Sequence, residues 1–598
     1  MRIRSSWITF LTVAAATSVV GLAGAGAAFA GARIAVAPRS SAHLTYRGTV
    51  NLKSLAANPR SVSVTPKTRQ GTPLARKSGV RAAAVRTTNP NPTSEPLTSQ
   101  TGPPLGFVGL SATDSGQLNG FDLEPPDQGL CAHAGTVMEP VNLAFDIYTE
   151  SGERLIAPVS LNSFFGLAPA VSSNGKNTTY GPFLSDPRCY YDQQTGRWFV
   201  TILEIDTDPY TGAFANHSSE LIAVSATSDP TGNYGLFELD STNDGSNGTP
   251  NLPNCPCLGD QPRIGADANG FYISDDVYSL QNSSANGDGG YLYAISKQEL
   301  VDAAAAGGQG TPSYVGIYLG AVTIDGYPAN AVQPAETPPK AAYPSDREYF
   351  LSTPDFNGFA TSGGSGASSV VLWTLLNTSA LNSGSPGVTL TDAIVPSEPF
   401  TPPPNATQKT GPHPLGQSLG EPVEPLNVDD DRMQQVEYLS GGLYSSLETG
   451  VGSGSSARTG AAWFAVRTSG TDGTMARQGY LATGSGGSLM YPAIGLNPNG
   501  HGAMTFSVTG PATYPSAAYV PFDLGPTGGV IRVDGPGSLP EDGFTCYPQY
   551  GGPPCRWGDY SAASSDGSGH IVMGDEMIAD NQRDQLANWN TYISTYTP

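Results

Sequence analysis

From residue 106 onward the chain alternates short apolar runs with clusters of Gly, Asn, Asp and Pro. Arg197–Leu203, Gly270–Ser274, Gly290–Ile295, Ser369–Leu376, Ala461–Val466 and Ala503–Val508 are each β-branched or aromatic-rich and too short for helices of ordinary length. The pattern predicts an all-β chain. One helix interrupts it: Ser296 and Glu299 have capping-box spacing, an apolar stretch follows from Leu300 to Ala306, and Gly307-Gly308 ends it.

The strands recur at a fixed offset. Pro187 to Asp192 leads through Gly196 into a strand, Pro262 to Asp267 through Gly270, and Pro492 to Asn497 through Gly500. Tyr560 to Asp566, followed by Gly569, repeats the unit without the proline. Each reads as strand, Asx/Gly turn, strand. Asp192 and Asp267 stand 75 residues apart, and Asn497 and Asp566 stand 69 apart. The interval between Asp267 and Asn497 leaves room for two divergent units, Tyr343–Thr378 and Gln434–Val466, and a further unit runs from Pro125 to Tyr148. Sheets repeated at this period predict a β-propeller of about seven blades, with six as the fallback.

Charge divides the chain. The first 100 residues hold 13 Lys or Arg and one acid, Glu95, whereas the remainder holds 16 basic and 50 acidic residues, for a total of -22. Met1–Trp7 carries Arg2 and Arg4, an uncharged apolar stretch follows, and Ala28-Phe29-Ala30 has the small-x-small form of a processing site. Residues 1–30 therefore read as a signal peptide, which implies export to the cell surface or medium. Residues 31–104, basic and Pro-rich with few aromatics, read as a flexible arm, and residues 105–598 as the propeller domain. The acidic body argues against a nucleic-acid partner. No later segment approaches the ~18 apolar residues of a membrane-spanning helix.

Six cysteines in an exported chain favour disulfides over metal ligation. Cys546 and Cys555 flank a turn-forming loop and are expected to close a small hairpin; Cys131, Cys189, Cys255 and Cys257 allow three pairings.

Pro125-Pro-Asp127 with Glu139-Pro-Val-Asn142, Asp186-Pro-Arg-Cys-Tyr-Tyr-Asp192 with Gly196-Arg-Trp-Phe199, and Arg556-Trp-Gly-Asp-Tyr-Ser561 with Asn588-Trp589 resemble a family of secreted bacterial β-propellers loosely related to sialidase-like proteins. The resemblance spans about residues 105–598. It implies the propeller fold and bacterial export and assigns no activity.

In a propeller, equivalent positions on the inner strands meet near one channel mouth. Asp186 and Arg188, Asp260 and Arg263, and Arg556 and Asp559 are the candidate ligand site there. Arginines so placed either clamp an anion or pair with the neighbouring aspartates. A sialidase-like site would add a Tyr–Glu pair and a carboxyl acid, for which Glu437, Tyr438, Glu576, Tyr560 and Asp559 are candidates. No nucleophile-elbow, phosphate-loop or zinc-protease motif is present. No organic cofactor is implied; Asp429–Asp431 and Asp240–Asp244 read first as solvated acidic turns, with oxygen ligands suited to calcium as the alternative. The expected function is an extracellular module that binds a glycan or protein; the alternative is a carbohydrate-active enzyme working at the channel mouth.

Overall fold

The computed structural model describes residues 40–58, 68–70, 88–99, 106–174, 176–281, 289–324, 327–354, 366–383, 387–484, 486–527, 529–580 and 582–598. The expected signal peptide lies outside them.

Six successive segments each fold into an up-and-down meander of four antiparallel strands. Their first strands are Cys131–His133, Phe183–Asp192, Cys257–Ala266, Gln333–Glu336, Val436–Leu439 and Ser488–Leu496. A seventh sheet combines Ala562–Ser565, Ile571–Met577 and Asn590–Tyr596 with the much earlier strand Gly106–Ser111, which pairs antiparallel to Asn590–Tyr596. The first strand of each sheet abuts the first strand of the next, and that of the seventh abuts Cys131–His133 again. Between the fourth and fifth sheets the abutting strands pair in parallel, Ala335 with Val436 and Glu336 with Glu437. The described residues thus form a mostly β, multi-sheet, propeller-like fold.

The turns follow the repeat read from the sequence. Asp192, Asp267, Asn497 and Asp566 each accept backbone N–H groups from the two to four residues that follow. Gly196 and Gly500, at φ 66° and 85°, supply the left-handed step that such turns require.

Sheets pack on one another through aromatic pairs. Phe199 stacks on Phe271 at 4.8 Å between the second and third sheets, and Trp463 meets Phe522 edge-on at 5.7 Å between the fifth and sixth. Tyr519–Tyr596 and Phe107–Tyr148 seat the seventh sheet against its two neighbours. Each such pair contributes roughly 0.5–1.5 kcal/mol beyond the area it buries.

Part of the segment expected to be a loose arm is built into the body. Ser40–His43 pairs with Ser313–Tyr318 as a fifth strand on the third sheet, and Thr45–Asn51 pairs with Asn233–Asp240 on the second. Leu97–Ser99 runs parallel to Ile531–Gly535 on the sixth. An outer strand is held by its hydrogen-bond ladder and needs few apolar side chains, so composition alone hides it; Leu44 and Leu52, both buried, are the anchors.

The predicted helix is Lys297–Ala305, capped by Ser296, whose hydroxyl accepts from the Glu299 amide. Glu299 does not reciprocate: its carboxylate instead accepts from the backbone and hydroxyl of Ser313. Disulfides join Cys131 to Cys189, Cys255 to Cys257 and Cys546 to Cys555. The last closes two short 3-10 turns, Phe544–Cys546 and Pro548–Tyr550, rather than a hairpin, because a loop so rich in proline cannot supply ladder N–H groups.

Candidate functional site at the channel mouth

The repeated prolines have a structural meaning beyond the turns. In three inner strands the register slips at the X-Pro step: between Ser185 and Arg188, Asp260 and Arg263, and Met490 and Ala493. The residue before each proline is left-handed, Asp186 at φ 58°, Gln261 at φ 51° and Tyr491 at φ 53°, and Asp127 joins them at φ 43°. Proline removes the ladder donor, the strand bulges, and the side chain before it is re-aimed. A non-glycine residue in this region costs free energy, and strain of this kind gathers where function requires a particular geometry.

The re-aimed side chains meet at one end of the inner-strand circuit. Oxygens of Asp127, Asp186 and Asp559 all lie within 4.8 Å of one another, and all three residues are buried. Asn142 links two of them, donating to Asp127 Oδ2 at 2.5 Å and accepting from the Asp186 amide at 2.8 Å. The Asp559 amide donates to Asp127 Oδ1 at 2.8 Å, and Gln261 Nε2 donates to Asp559 Oδ2 at 3.1 Å. Burial pushes the Asp559 carboxyl up to about 7, with the Asp127 charge adding to it and Arg556 opposing. Asp186 is pushed well above the carboxylate range by burial and by Asp127, Asp260 and Asp559.

The arginines do not share one target. Arg263 pairs with Asp276 at 2.8 Å rather than with Asp260, its neighbour in sequence. Arg556 lies 3.4 Å from Asp559. Arg188 lies with its guanidinium 3.4 Å over the Tyr560 ring and donates to the Pro262 carbonyl at 3.2 Å. Asp260 is buried near Asp186 and Glu220 and raises both. All six predicted residues therefore belong to one polar region, but as a network of separate contacts and not as a three-arginine clamp.

Below this mouth two cavities of about 40 and 20 Å³ run between the inner strands, lined among others by Arg188, Glu336 and Glu437. They have room for water or an ion and are far smaller than the roughly 300 Å³ at which small-molecule pockets begin.

The sialidase-like candidates separate. Glu437 lines the lower cavity while Tyr438, adjacent on the strand and facing the opposite way, stacks on Tyr349. Tyr560 lies under Arg188, and Glu576 accepts from the Gly558 amide at 2.5 Å. No Tyr–Glu pair forms among them. The acidic loops proposed for calcium are also committed elsewhere: Asp429 and Asp430 hold Arg432 at 2.6 and 2.7 Å, and Asp240 accepts from Thr242 and Asn247. The groups of ligating atoms that could hold a cation, among the described residues, are instead Asp127, Asp186 and Asp559, and, away from them, Glu150, Asp566 and His570.

Asp127, Asn142 and Gln261 are the members of the site that the sequence reading did not select. Gln261 carried a signal, its position before a proline in an inner strand, which marks a bulge; Asp127 precedes the first sheet and Asn142 follows its second strand, so neither carried that mark.

No family model matches the chain, and no curated protein matches it. Among solved structures, a GH43 β-1,3-galactosidase with galactodeoxynojirimycin is 11% identical, covering 62% of this chain and 97% of its own, at TM-score 0.28. An exo-β-1,3-galactanase from Clostridium thermocellum is 8% identical, covering 82% and 100%, at TM-score 0.27. Drosophila Plexin A in complex with Semaphorin 1b is 8% identical, covering 85% and 88%, at TM-score 0.33. Scores this low carry nothing about the site, whose assignment rests on this chain's own residues.

Proposed function

We propose that the chain is an exported seven-bladed β-propeller that recognises an extracellular glycan at its channel mouth. The observation that carries this reading is that four left-handed residues from separate parts of the chain, Asp127, Asp186, Gln261 and Tyr491, gather around Asp559. Beside it the Arg556 side chain is 20% exposed, while Asp260 and Asp559 are buried. Carboxylates, a guanidinium and an amide grouped together match the paired donors and acceptors of sugar hydroxyls. The blade count is supported by the closed circuit of seven inner strands, and export by the leader-like sequence.

A second reading, a carbohydrate-active enzyme, is favoured by one observation. The Asp559 carboxyl, held at about 7, is poised to give or take a proton near neutral pH.

The test is a glycan array with the full chain, paired with product-release assays on every polymer that binds. Binding that is lost in Arg556→Ala supports recognition at the mouth, and product release that is lost in Asp559→Asn selects the enzymatic reading. Binding unaffected by Arg556→Ala, or none on any glycan, overturns the proposal.

A further inference from the structure

The centre of the mouth gathers carboxyl groups from several parts of the chain. Asp127, Asp186, Asp260 and Asp559 lie together, whereas Arg263 is committed to Asp276 and Arg432 to Asp429 and Asp430. Arg556, Arg188 and, at Asp559, Arg432 are the guanidiniums acting on these carboxylates.

Two atoms beside the cluster point to something further. Asp186 Oδ2 is buried with no hydrogen-bond partner, and so is the Tyr560 hydroxyl. Tyr560 is 4% exposed and feels the charges of Asp186, Asp559 and Asp127. A buried hydroxyl and a buried carboxylate oxygen left unpaired each cost on the order of 1–3 kcal/mol or more, a penalty that a ligand between them removes.

We propose that Asp127, Asp186 and Asp559 hold one calcium ion, with the Tyr560 hydroxyl directed toward it. The donors are all oxygens, three of them carboxylates on three different sheets or their leads, which is the hard-donor set of Ca²⁺ and not the nitrogen and sulfur set of zinc. Asp127 precedes the first sheet, Asp186 lies in the inner strand of the second and Asp559 precedes the seventh. The ion therefore ties the last sheet to the first two, across the junction where the circuit closes. Its role is to fix the bulges in place, and it stands whether or not the mouth binds a glycan.

Terbium replaces calcium and is excited through nearby aromatic rings, here Tyr560. Titrating the metal-stripped full chain with Tb³⁺ is expected to give one saturable luminescent site per chain, displaced by Ca²⁺, with Tm raised by Ca²⁺. Asp186→Asn is expected to weaken Tb³⁺ by at least about tenfold, because affinity follows the number of charged ligands, while Glu150→Gln at the separate acidic group leaves it unchanged. A site that survives Asp186→Asn, or is lost in Glu150→Gln, overturns the assignment, as does the absence of saturable binding. Should Asp186→Asn fail to fold, the wild-type and Glu150→Gln chains decide: a Tm rise with Ca²⁺ in both supports the site, and no rise in the stripped wild-type chain, or a rise lost in Glu150→Gln, refutes it.

Discussion

Arg188 rests its guanidinium 3.4 Å above the ring of Tyr560, so the inner strand of the second sheet is fastened to the lead-in of the seventh across the channel. The same side chain donates to the Pro262 carbonyl in the third sheet. A lysine cannot lie flat on the ring while directing a planar N–H at that carbonyl. Arg188→Lys is expected to cost about 1 kcal/mol and Arg188→Ala about 2 kcal/mol of stability, from the lost cation–π contact and charge-assisted hydrogen bond. Urea unfolding checks this; equal stability of the lysine variant would show that charge alone suffices.

Lys297 is buried and donates to Asp192 at 2.9 Å, to Gln194 at 3.0 Å and to the Asp267 carbonyl at 2.5 Å. It joins the turns of the second and third sheets. Lys297→Met should cost about 3–5 kcal/mol because Asp192 is left charged and buried. Asp192→Asn in the same chain should recover part of that loss, and a double-mutant cycle by denaturant unfolding measures the coupling.

Stability is expected to fall as pH rises. Burial lifts Asp146 and Asp559 to about 7 and Glu336, Glu448 and Asp575 to about 8. Folded carboxyls that hold protons which the unfolded chain has released above pH ~4 contribute stability that is fully present below that value and lost through 7 to 8. His217, lifted to about 10 by hydrogen bonds to Asp206 and Asp240, acts in the same direction between about 6.5 and 10. Tm measured from pH 4.5 to 9 should decline steadily. Asp575→Asn should flatten the curve, and a maximum at pH 8 would contradict the account.

The Cys131–Cys189 bridge connects the inner strands of the first two sheets across 58 residues. By loop-closure entropy its removal costs roughly 4 kcal/mol. The Cys131→Ala/Cys189→Ala chain should show a lowered urea midpoint with unchanged far-UV circular dichroism in buffer.

Deleting residues 1–58 should destabilise the body rather than leave it intact. Leu44 and Leu52, 2% and 0% exposed, would be lost at about 1.5–3 kcal/mol each, and the edges of the second and third sheets would be bared. Lower Tm and concentration-dependent association by light scattering are the expected readouts; a monomer of unchanged Tm would refute the edge-strand role.

The strand repeat, its turns and the leading proline were legible because each leaves a local mark: Asp192, Asp267, Asn497 and Asp566 cap their own turns. The consequence of the proline was not legible, since a bulge is defined by the partner strand. That Arg263 chooses Asp276 over Asp260 depends on that same slip of register, which no spacing in the sequence reveals. The outer strands Ser40–His43 and Thr45–Asn51 escaped for a different reason, being held by backbone bonds that leave little trace in composition.

Where Gly106–Ser111 completes the seventh sheet, Gly106 lies opposite Ser594 and Ser111 opposite Asn590. The entering and leaving ends of this pair lie at the same edge, so tension applied at Gly106 and Tyr596 would peel the ladder open one bond at a time instead of shearing it all at once. The strand pair that closes the circuit is thereby loaded as a zipper and not in shear when pulled from those two ends.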